Sequence, residues 1–447
     1  MCPSWRVTHE EEHSTRGRAH LLWEMAKGDV IRDGWRDEDV KQSLDLCLSC
    51  KGCKSDCPVG VDLATYKAEF LSHYHEGRLR PRSDYAFANI DFWARLASKV
   101  PGLVNLATQL PLLRDISKLA AGMPHQRRIP AFAPETFRAW FKRRRMTERS
   151  MTEPRPPSNR EATSVMLWPD TFNNYFLPDT AKAAVEVLEA AGFRVSIPES
   201  ILCCGRPLYD FGMLERAKRL LLEILDNLSP EIDAAIPIVV LEPSCAAVFR
   251  DELINLFPSD ARAQKLSQQT FLLSEFLEKK AAHFQLPNLP VKALIHGHCH
   301  HKSLMKMTDE ESVLQKMGID WSAPAPGCCG MAGSFGFDEE KYDLSMAIGE
   351  LELLPAVRQA PADSLIIADG FSCREQIAQC TDRRSLHLAE VIAAALKAPL
   401  TPDGAYPETP YVRRRQAELD RSMRRSALAS AGVAAGVALL WWLGRKM

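Results

Sequence analysis

The chain has 447 residues, of which 46% are hydrophobic and 25% are charged, and this length has room for about two to four domains. Its 56 basic and 57 acidic residues give a formal net charge of −1, which gives no reason to expect a nucleic-acid partner. The 13 cysteines form tight clusters and no apolar signal segment precedes them. We therefore expect a cytoplasmic protein whose cysteines bind metal or carry out redox chemistry.

The N-terminal third is predicted to be helical, because apolar residues recur there every three or four positions. Residues 1–85 are assigned to an all-helical ferredoxin-like module and residues 86–145 to a helical extension. The segment 146–163 is polar and rich in proline, which predicts a linker.

Beyond the linker, short β-branched runs alternate with helical stretches, a pattern typical of parallel α/β units. The pattern occurs twice, in residues 164–288 and 289–398. In each copy a strand leads through a helix to Cys-Cys-Gly, and then through another helix to a strand that ends near a single cysteine. The predicted fold class is therefore α plus α/β: an all-helical ferredoxin-like module, two α/β cysteine-rich repeats and a hydrophobic C-terminal helix.

The C-terminal segment supports two interpretations. Residues 399–425 form a predicted linker that ends in an arginine-rich, helix-like stretch, and residues 426–444 carry no charge. Those 19 residues just reach the ~20 needed to cross a bilayer, with Trp441 and Trp442 placed as interfacial anchors. Such a helix would anchor the protein to the inner face of the cytoplasmic membrane. An alanine-rich helix docked on the protein is the alternative.

The stretch "CLSCKGCKSDCP" at 47–58 has the C-x2-C-x2-C-x3-C-P spacing of bacterial ferredoxins and predicts a [4Fe–4S] cluster. Zinc is the competing ligand, but structural zinc favours two separated cysteine pairs. In two-cluster ferredoxins the cysteine before proline binds the other cluster. Cys47, Cys50 and Cys53 then need a fourth ligand, for which Cys2 is the candidate. Cys57 would serve a second cluster or close the single one itself.

These motifs carry a family resemblance. The segments with Cys2-Pro3, "STRGR" and "CLSCKGCKSDCPVG" resemble the two-cluster ferredoxin module of iron–sulfur subunits in glycolate oxidase and FAD-linked D-lactate dehydrogenase. The Cys-Cys-Gly copies resemble the cysteine-rich (CCG) domains of that family, and of anaerobic glycerol-3-phosphate dehydrogenase and heterodisulfide reductase subunits. The resemblance covers residues 1 to about 398. It implies that FAD is bound by a partner subunit or by a missing N-terminal half.

The family pattern of a CCG domain is Cys, then Cys-Cys-Gly, then Cys-x-x-Cys, and both copies depart from it. In the first copy Glu242 replaces one cysteine and there is no obvious leading cysteine, which leaves three. In the second copy Gly370 stands at the missing position, which leaves four. The resemblance therefore implies a second iron–sulfur cluster or a zinc ion in the second copy, with the candidate ligands Cys299, Cys328, Cys329 and Cys373. The three cysteines of the first copy are Cys203, Cys204 and Cys245.

Four histidines surround Cys299 in "HGHCHHK", and imidazole is both a metal ligand and a proton donor. His298 and His300 are the candidate catalytic residues, which would protonate a quinone or a substrate oxygen. His296 and His301 are further candidate ligands. Cys380 is expected to be structural.

The resemblance implies an iron–sulfur electron-transfer subunit, or C-terminal half, of a flavin-dependent dehydrogenase for a 2-hydroxy acid such as glycolate or D-lactate. Electrons would pass from FAD on a partner to a quinone or another respiratory acceptor at the membrane. Nothing in the chain matches a flavin-binding motif, which agrees with FAD being bound by a partner. A heterodisulfide-reductase-like catalyst and a zinc-binding module without redox activity are the alternatives.

Overall fold

The computed structural model describes residues 2–151, 163–397 and 406–444. Residues 152–162, which hold most of the first predicted linker, lie outside this part of the chain. The helix before them continues to Met151, because no proline or glycine occurs until Pro154. The linker prediction is therefore corrected to helix for 146–151.

The described residues up to Met151 form helices and loops without a strand. Asp37 and Asp62 begin the two helices that flank the cysteine loop, since their side chains accept hydrogen bonds from Val40 N and Thr65 N. The α-helices of this region are α1 (Pro3–Thr8), α2 (Thr15–Lys27), α3 (Glu38–Asp45), α4 (Gly52–Asp56), α5 (Leu63–Tyr74), α6 (Arg82–Ala88), α7 (Ile90–Ala97), α8 (Pro101–Gln109), α9 (Pro111–Ala121) and α10 (Phe137–Met151).

Two parallel sheets follow the helical region. The first has the order β2-β1-β3-β4 and comprises β1 (Ser164–Trp168), β2 (Arg194–Ser196), β3 (Ile238–Val240) and β4 (Thr270–Leu272). The second has the order β6-β5-β7 and comprises β5 (Lys292–Ile295), β6 (Asp320–Ser322) and β7 (Leu365–Ile367). Met166 lies opposite Ile238 in the first sheet, and Ala293 lies opposite Leu365 in the second.

Helices surround both sheets, as expected for parallel α/β units. They are α11 (Thr171–Tyr175), α12 (Pro178–Ala190), α13 (Arg206–Asp210), α14 (Leu214–Asn227), α15 (Ser229–Asp233), α16 (Pro243–Ala247), α17 (Leu253–Leu256), α18 (Ala261–Gln269), α19 (Leu273–Lys279), α20 (Thr308–Lys316), α21 (Tyr342–Leu351), α22 (Leu353–Gln359), α23 (Phe371–Cys380) and α24 (Leu388–Lys397). Two π-helices, Val248–Glu252 and His301–Met305, interrupt the pattern. Such short wide turns are frequent at functional sites.

One hydrophobic core joins the two sheets. Val165 and Val239 of the first sheet lie in the same buried cluster as Ile295 and Ile367 of the second. Helices α12 and α24 pack on each other and contribute to this cluster. Because parallel strands end at one edge of a sheet, the segments after β3, β5 and β7 carry the candidate site residues to neighbouring positions.

The last helix, α25 (Thr409–Gly444), packs on α8. Gly102 permits this close approach, because a Cβ atom there would lie 2.1 Å from Ser426 Oγ. Because α25 begins at Thr409, residues 409–425 of the predicted linker 399–425 are helical. Pro410 stands in the first turn of α25, where its missing N–H group removes no helical hydrogen bond.

The predicted membrane helix at 426–444 falls on the end of α25. The side chains of 433–440 and 442–444 lie outside the described residues. Within the part of the chain that is described, no helix is both long enough and apolar enough to cross a membrane.

Candidate iron–sulfur and electron-transfer site

A cavity of about 260 Å³ lies where the N-terminus, the cysteine loop and the start of α5 meet. Its walls bring together the predicted cluster ligands Cys2, Cys47, Cys50, Cys53 and Cys57. The fold thus places Cys2, which is distant in sequence, at the same cavity as the four cysteines of the loop.

The cysteine loop turns back on itself because two of its residues have left-handed backbone conformations. Ser49 has a φ of 52° and Lys51 has a φ of 58°, values that are uncommon outside glycine and concentrate at functional sites. The buried Lys51 Nζ lies 2.9 Å from Asp62, 2.6 Å from Asp251 and 3.2 Å from Glu252. These carboxylates, two of them from the first sheet region, hold the turn in place.

The thiols around this cavity disfavour one another's ionisation. Burial raises the pKa of Cys2 and the Cys47 thiol adds to the shift, while the Arg18 guanidinium opposes it. Burial also raises the pKa of Cys53 to about 11, and Cys47 and Cys2 again add to the shift. Thiolates in such a space require metal cations between them. The residues present therefore fit the iron of a [4Fe–4S] cluster.

Cys57 has a different environment from the other four cysteines. Its sulfur accepts hydrogen bonds from the N–H groups of Val59, Gly60 and Val61, and these lower its pKa. Backbone donors of this kind stabilise a thiolate. Two predictions for Cys57 therefore stay predictions: that it binds a second cluster, and that it is the fourth ligand of a single cluster.

Arg18 is a residue beside this cavity that the spacing of the cysteines does not reveal. Its fully buried guanidinium donates from Nη1 to Cys2 Sγ at 3.1 Å, from Nε to Ser43 O at 2.8 Å and from Nη2 to Ser4 Oγ at 3.0 Å. A positive charge held against a ligand sulfur favours the reduced state of a cluster. Arg18 is therefore placed to tune the reduction potential.

The cysteine loop docks directly on the histidine loop of the second repeat. His300 Nε2 lies 2.9 Å from Ser49 O, and because a carbonyl oxygen only accepts, this nitrogen carries the proton. Ser303 Oγ donates to Cys50 O at 3.3 Å, and Arg206 Nη2 donates to Ser49 O at 3.2 Å. The Cys299 thiol is close enough to Cys50 to raise its pKa, after burial. The two cysteine sites are thus neighbours.

The second repeat forms a compact sulfur site. The ligand atoms of His296, Cys329 and Cys373 lie within 4.8 Å of one another, and all three residues are buried. The neighbouring Cys328 thiol, then Cys373 and His296, lower the pKa of Cys329. The predicted ligands Cys329 and Cys373 are therefore brought together with His296, whereas the predicted ligands Cys328 and Cys299 lie outside this group. This set fits zinc or iron.

The position of the missing cysteine in the second repeat is occupied by a histidine ring. A Cβ atom on Gly370 would lie 2.3 Å from His298 Cδ2, so only glycine leaves room for this ring. His298 Nδ1 accepts a hydrogen bond from His300 N at 3.2 Å, which assigns the ring proton to Nε2. Burial lowers the pKa of His298 to about 3, so the ring is neutral at pH 7.

The first repeat replaces its missing cysteine by a structural carboxylate. Glu242 Oε1 accepts a hydrogen bond from Ser244 Oγ at 2.8 Å, and Oε2 accepts one from Phe371 N at 2.8 Å. Glu242 thereby ties the first repeat to helix α23 of the second. Cys204 Sγ and Cys245 Sγ lie 3.0 Å apart as free thiols.

A second cavity of about 750 Å³ lies between the two repeats and helices α6–α9. Its polar wall contains the cysteine and histidine groups of both repeats, Cys203, Cys204, Cys245, His298, Cys299 and His300. Most of the remaining wall is apolar, with the aromatic residues Phe87, Trp93, Phe132, Phe172, Phe176, Phe337 and Phe371. Cys380 lies elsewhere, where Arg127 Nη1 donates to its sulfur at 3.4 Å.

Comparisons with known proteins agree with this geometry. Residues 1–61 match the 4Fe-4S dicluster domain family, and residues 171–250 match the cysteine-rich domain family CCG. The chain is 27% identical to D-2-hydroxyglutarate dehydrogenase of Pseudomonas putida over 88% of this chain and 41% of that protein. It is 25% identical to a subunit of the anaerobic glycerol-3-phosphate dehydrogenase of Escherichia coli, over 82% of this chain and 89% of that relative.

Lactate utilization protein A of Bacillus velezensis is 30% identical over 51% of this chain and 98% of its own length. Sulfur-lined sites on a helical module and on α/β units define the class: an iron–sulfur protein with an electron-transfer role in oxidoreductases. The chain belongs to the family of iron–sulfur proteins with CCG domains that includes lactate utilization protein A, and the predicted resemblance is confirmed. It spans about two fifths of the length of the D-2-hydroxyglutarate dehydrogenases it matches.

Proposed function

We propose that the chain carries electrons from a flavin-bearing dehydrogenase partner, or from a flavin domain fused to it, to a quinone. The substrate would be a 2-hydroxy acid, because the related proteins include dehydrogenases of D-2-hydroxyglutarate and a lactate utilization protein. Oxidation of a 2-hydroxy acid to a 2-oxo acid releases two electrons and two protons, and reduction of a quinone to a quinol takes up the same number.

The entry site of this relay is the smaller cavity. Cys2, Cys47, Cys50 and Cys53 would hold the [4Fe–4S] cluster, which supplies one-electron transfer when bound. Arg18 stabilises the negative charge on Cys2. Lys51 holds the loop conformation through its three carboxylate partners.

The observation that carries the proposal is the docking of the cysteine loop on the wall of the larger cavity. Ser49 O accepts a hydrogen bond from His300, and Cys50 and Cys299 lie within electrostatic reach of each other. Cys299 and His300 both line the larger cavity. Electrons that arrive at the cysteine loop therefore need to cross one loop contact to reach an acceptor.

The larger cavity suits a quinone as the acceptor. A quinone ring is apolar on its faces and has carbonyl oxygens at its ends, so it needs aromatic walls and a few N–H donors. The wall supplies both, with Phe337 and Phe371 among its aromatic residues and His298 among its polar ones. The role proposed for His298 is thus to bind an acceptor oxygen through its ring Nε2–H group, whereas the ring N–H group of His300 already donates to Ser49 O and holds the cysteine loop against this wall.

An exposed apolar face beside this cavity supports delivery of the quinone from a membrane. Trp93 lines the cavity and is itself 47% exposed. Helices α7–α9 continue the face with the exposed residues Phe92, Leu96, Leu103, Leu112, Leu113, Ile116 and Leu119. A group of large exposed apolar side chains on neighbouring segments is typical of a binding face, and aromatic residues favour the membrane interface. We infer that this face lies on a lipid surface.

Replacement of one cluster ligand tests the relay. Cys50→Ser should abolish the reduction of a soluble quinone analogue by D-lactate or D-2-hydroxyglutarate in host extracts that contain the chain and its partner. Cys380→Ser is the matched control, because Cys380 lies outside both cavities. It should leave the rate unchanged. Equal rates in Cys50→Ser and the wild type would refute the relay.

A further inference from the structure

A second group of metal-ligating side chains lies next to the histidine loop but uses none of the cysteines. His301 begins the π-helix His301–Met305, Glu310 belongs to α20, and Asp369 lies two residues after the end of β7. These residues are 0%, 2% and 8% exposed, and their ligand atoms lie within 4.8 Å of one another. The fold has therefore brought an imidazole and two carboxylates from three elements to one buried point.

The atoms that face each other in this group are unsatisfied. Neither ring nitrogen of His301 has a hydrogen-bond partner within the described part of the chain, and neither has Glu310 Oε2. His301 Nδ1 and Glu310 Oε2 lie 3.3 Å apart without forming a hydrogen bond. Two ligand atoms that each lie about 2.1 Å from a tetrahedral ion are separated by about 3.4 Å, which matches this pair.

The basic side chains near Glu310 and Asp369 form hydrogen bonds with other groups. Arg250 makes two hydrogen bonds to the Glu275 carboxylate, at 2.8 Å and 2.7 Å. His387 Nε2 lies 3.5 Å from Asp369 but 3.1 Å from Leu241 O, which it serves as a donor. Two buried carboxylates without a dedicated cation are unfavourable, because burial penalises each charge and the like charges repel.

The remaining hydrogen bonds orient the ligands toward the shared point. Leu388 N donates to Asp369 Oδ1 at 3.0 Å, at the beginning of α24, which fixes this carboxylate. Ala389 N donates to His387 Nδ1 at 3.0 Å and keeps that ring beside it. Support of this kind around a ligand is typical of metal sites.

We propose that His301, Glu310 and Asp369 bind one divalent first-row metal ion such as Mn²⁺. Nitrogen and carboxylate ligands suit Mn²⁺ or Zn²⁺ and do not hold an iron–sulfur cluster. The ion neutralises the two carboxylates and satisfies the free ring nitrogen. It ties the loop that carries Cys299 to the segment between β7 and Cys373, and so positions two candidate ligands of the sulfur site.

Titration of the purified holoprotein with Mn²⁺ tests this site, because Mn²⁺ is a hard cation that avoids the thiolates. Electron paramagnetic resonance of free and bound Mn²⁺ should show one ion per chain. Glu310→Gln should weaken binding at least about tenfold, since it removes one charged ligand. Glu311→Gln, which removes the same charge one position along the helix, should bind as the wild type does. Iron and acid-labile sulfide contents should be equal in all three proteins.

Asp369→Asn keeps the oxygen that accepts from Leu388 N, so it provides a second test if Glu310→Gln does not fold. It should lose Mn²⁺ affinity as strongly. The absence of saturable Mn²⁺ binding by the wild type would overturn the proposal and would indicate that Glu310 and Asp369 share a proton instead. Unchanged affinity in a folded Glu310→Gln or Asp369→Asn variant would overturn it as well.

Discussion

Both cysteine-rich regions have lost the first cysteine of the final Cys-x-x-Cys pair of the family pattern, and the residues that replace it differ in kind. In the first region Glu242 takes the position and accepts a hydrogen bond from Phe371 N at 2.8 Å. In the second region Gly370 takes the position and leaves space that the His298 ring fills. One substitution adds a link between the regions, and the other brings an imidazole to the cavity wall.

The difference indicates a division of roles. The first region keeps two thiols 3.0 Å apart and a carboxylate that joins the halves, an arrangement that serves packing. The second region keeps Cys329, Cys373 and His296 around one buried point. We propose that metal binding has been retained in the second region and lost in the first.

Removal of one cysteine from each region gives the largest expected contrast. Cys329→Ala should remove the metal of the second region, because Cys329 supplies one of the three ligand atoms that lie within 4.8 Å of one another. Cys204→Ala should leave the metal content at the wild-type value. Elemental analysis of the purified proteins measures both. A comparable loss of metal in Cys204→Ala would show that the first region binds metal as well.

A smaller effect is expected from the pH dependence of stability. Burial, and then the Asp170 carboxylate, raise the pKa of Glu242 to about 7 from its ordinary value of 4.5. The folded state then holds this proton more tightly than the unfolded state. The contribution to stability is therefore present at low pH and is lost as the pH rises from about 4.5 to about 7.

In the wild type the free energy of unfolding should fall by at most about 3 kcal/mol across that pH range because of Glu242. Glu242→Gln should remove this fall. Urea unfolding at several pH values gives the free energy of unfolding, with the exposed Glu215→Gln as control. A pH profile of Glu242→Gln that matches the wild-type profile would show that Glu242 titrates normally.

The sequence allows the local chemistry to be predicted but not the long-range contacts. Cys47, Cys50 and Cys53 can be assigned because ligands of one cluster follow a fixed spacing on a single loop. Lys51 and Arg18 could not be assigned, since their roles depend on partners such as Asp251 that only the fold brings near.

The strand–helix alternation likewise predicts parallel α/β units, and the structure shows two parallel sheets. It does not predict that His298 occupies the space beside Gly370, because that contact joins loops after two different strands. The docking of the cysteine loop on His300 is also invisible in the sequence, since a backbone carbonyl accepts the hydrogen bond.

We propose that Cys2 and the cysteine loop hold an iron–sulfur cluster. The most direct test combines iron and acid-labile sulfide analysis with electron paramagnetic resonance of the dithionite-reduced protein, purified without oxygen. Iron, sulfide and the signal of a reduced [4Fe–4S] cluster are the predicted result. Zinc alone, without sulfide or a cluster signal, would contradict the account.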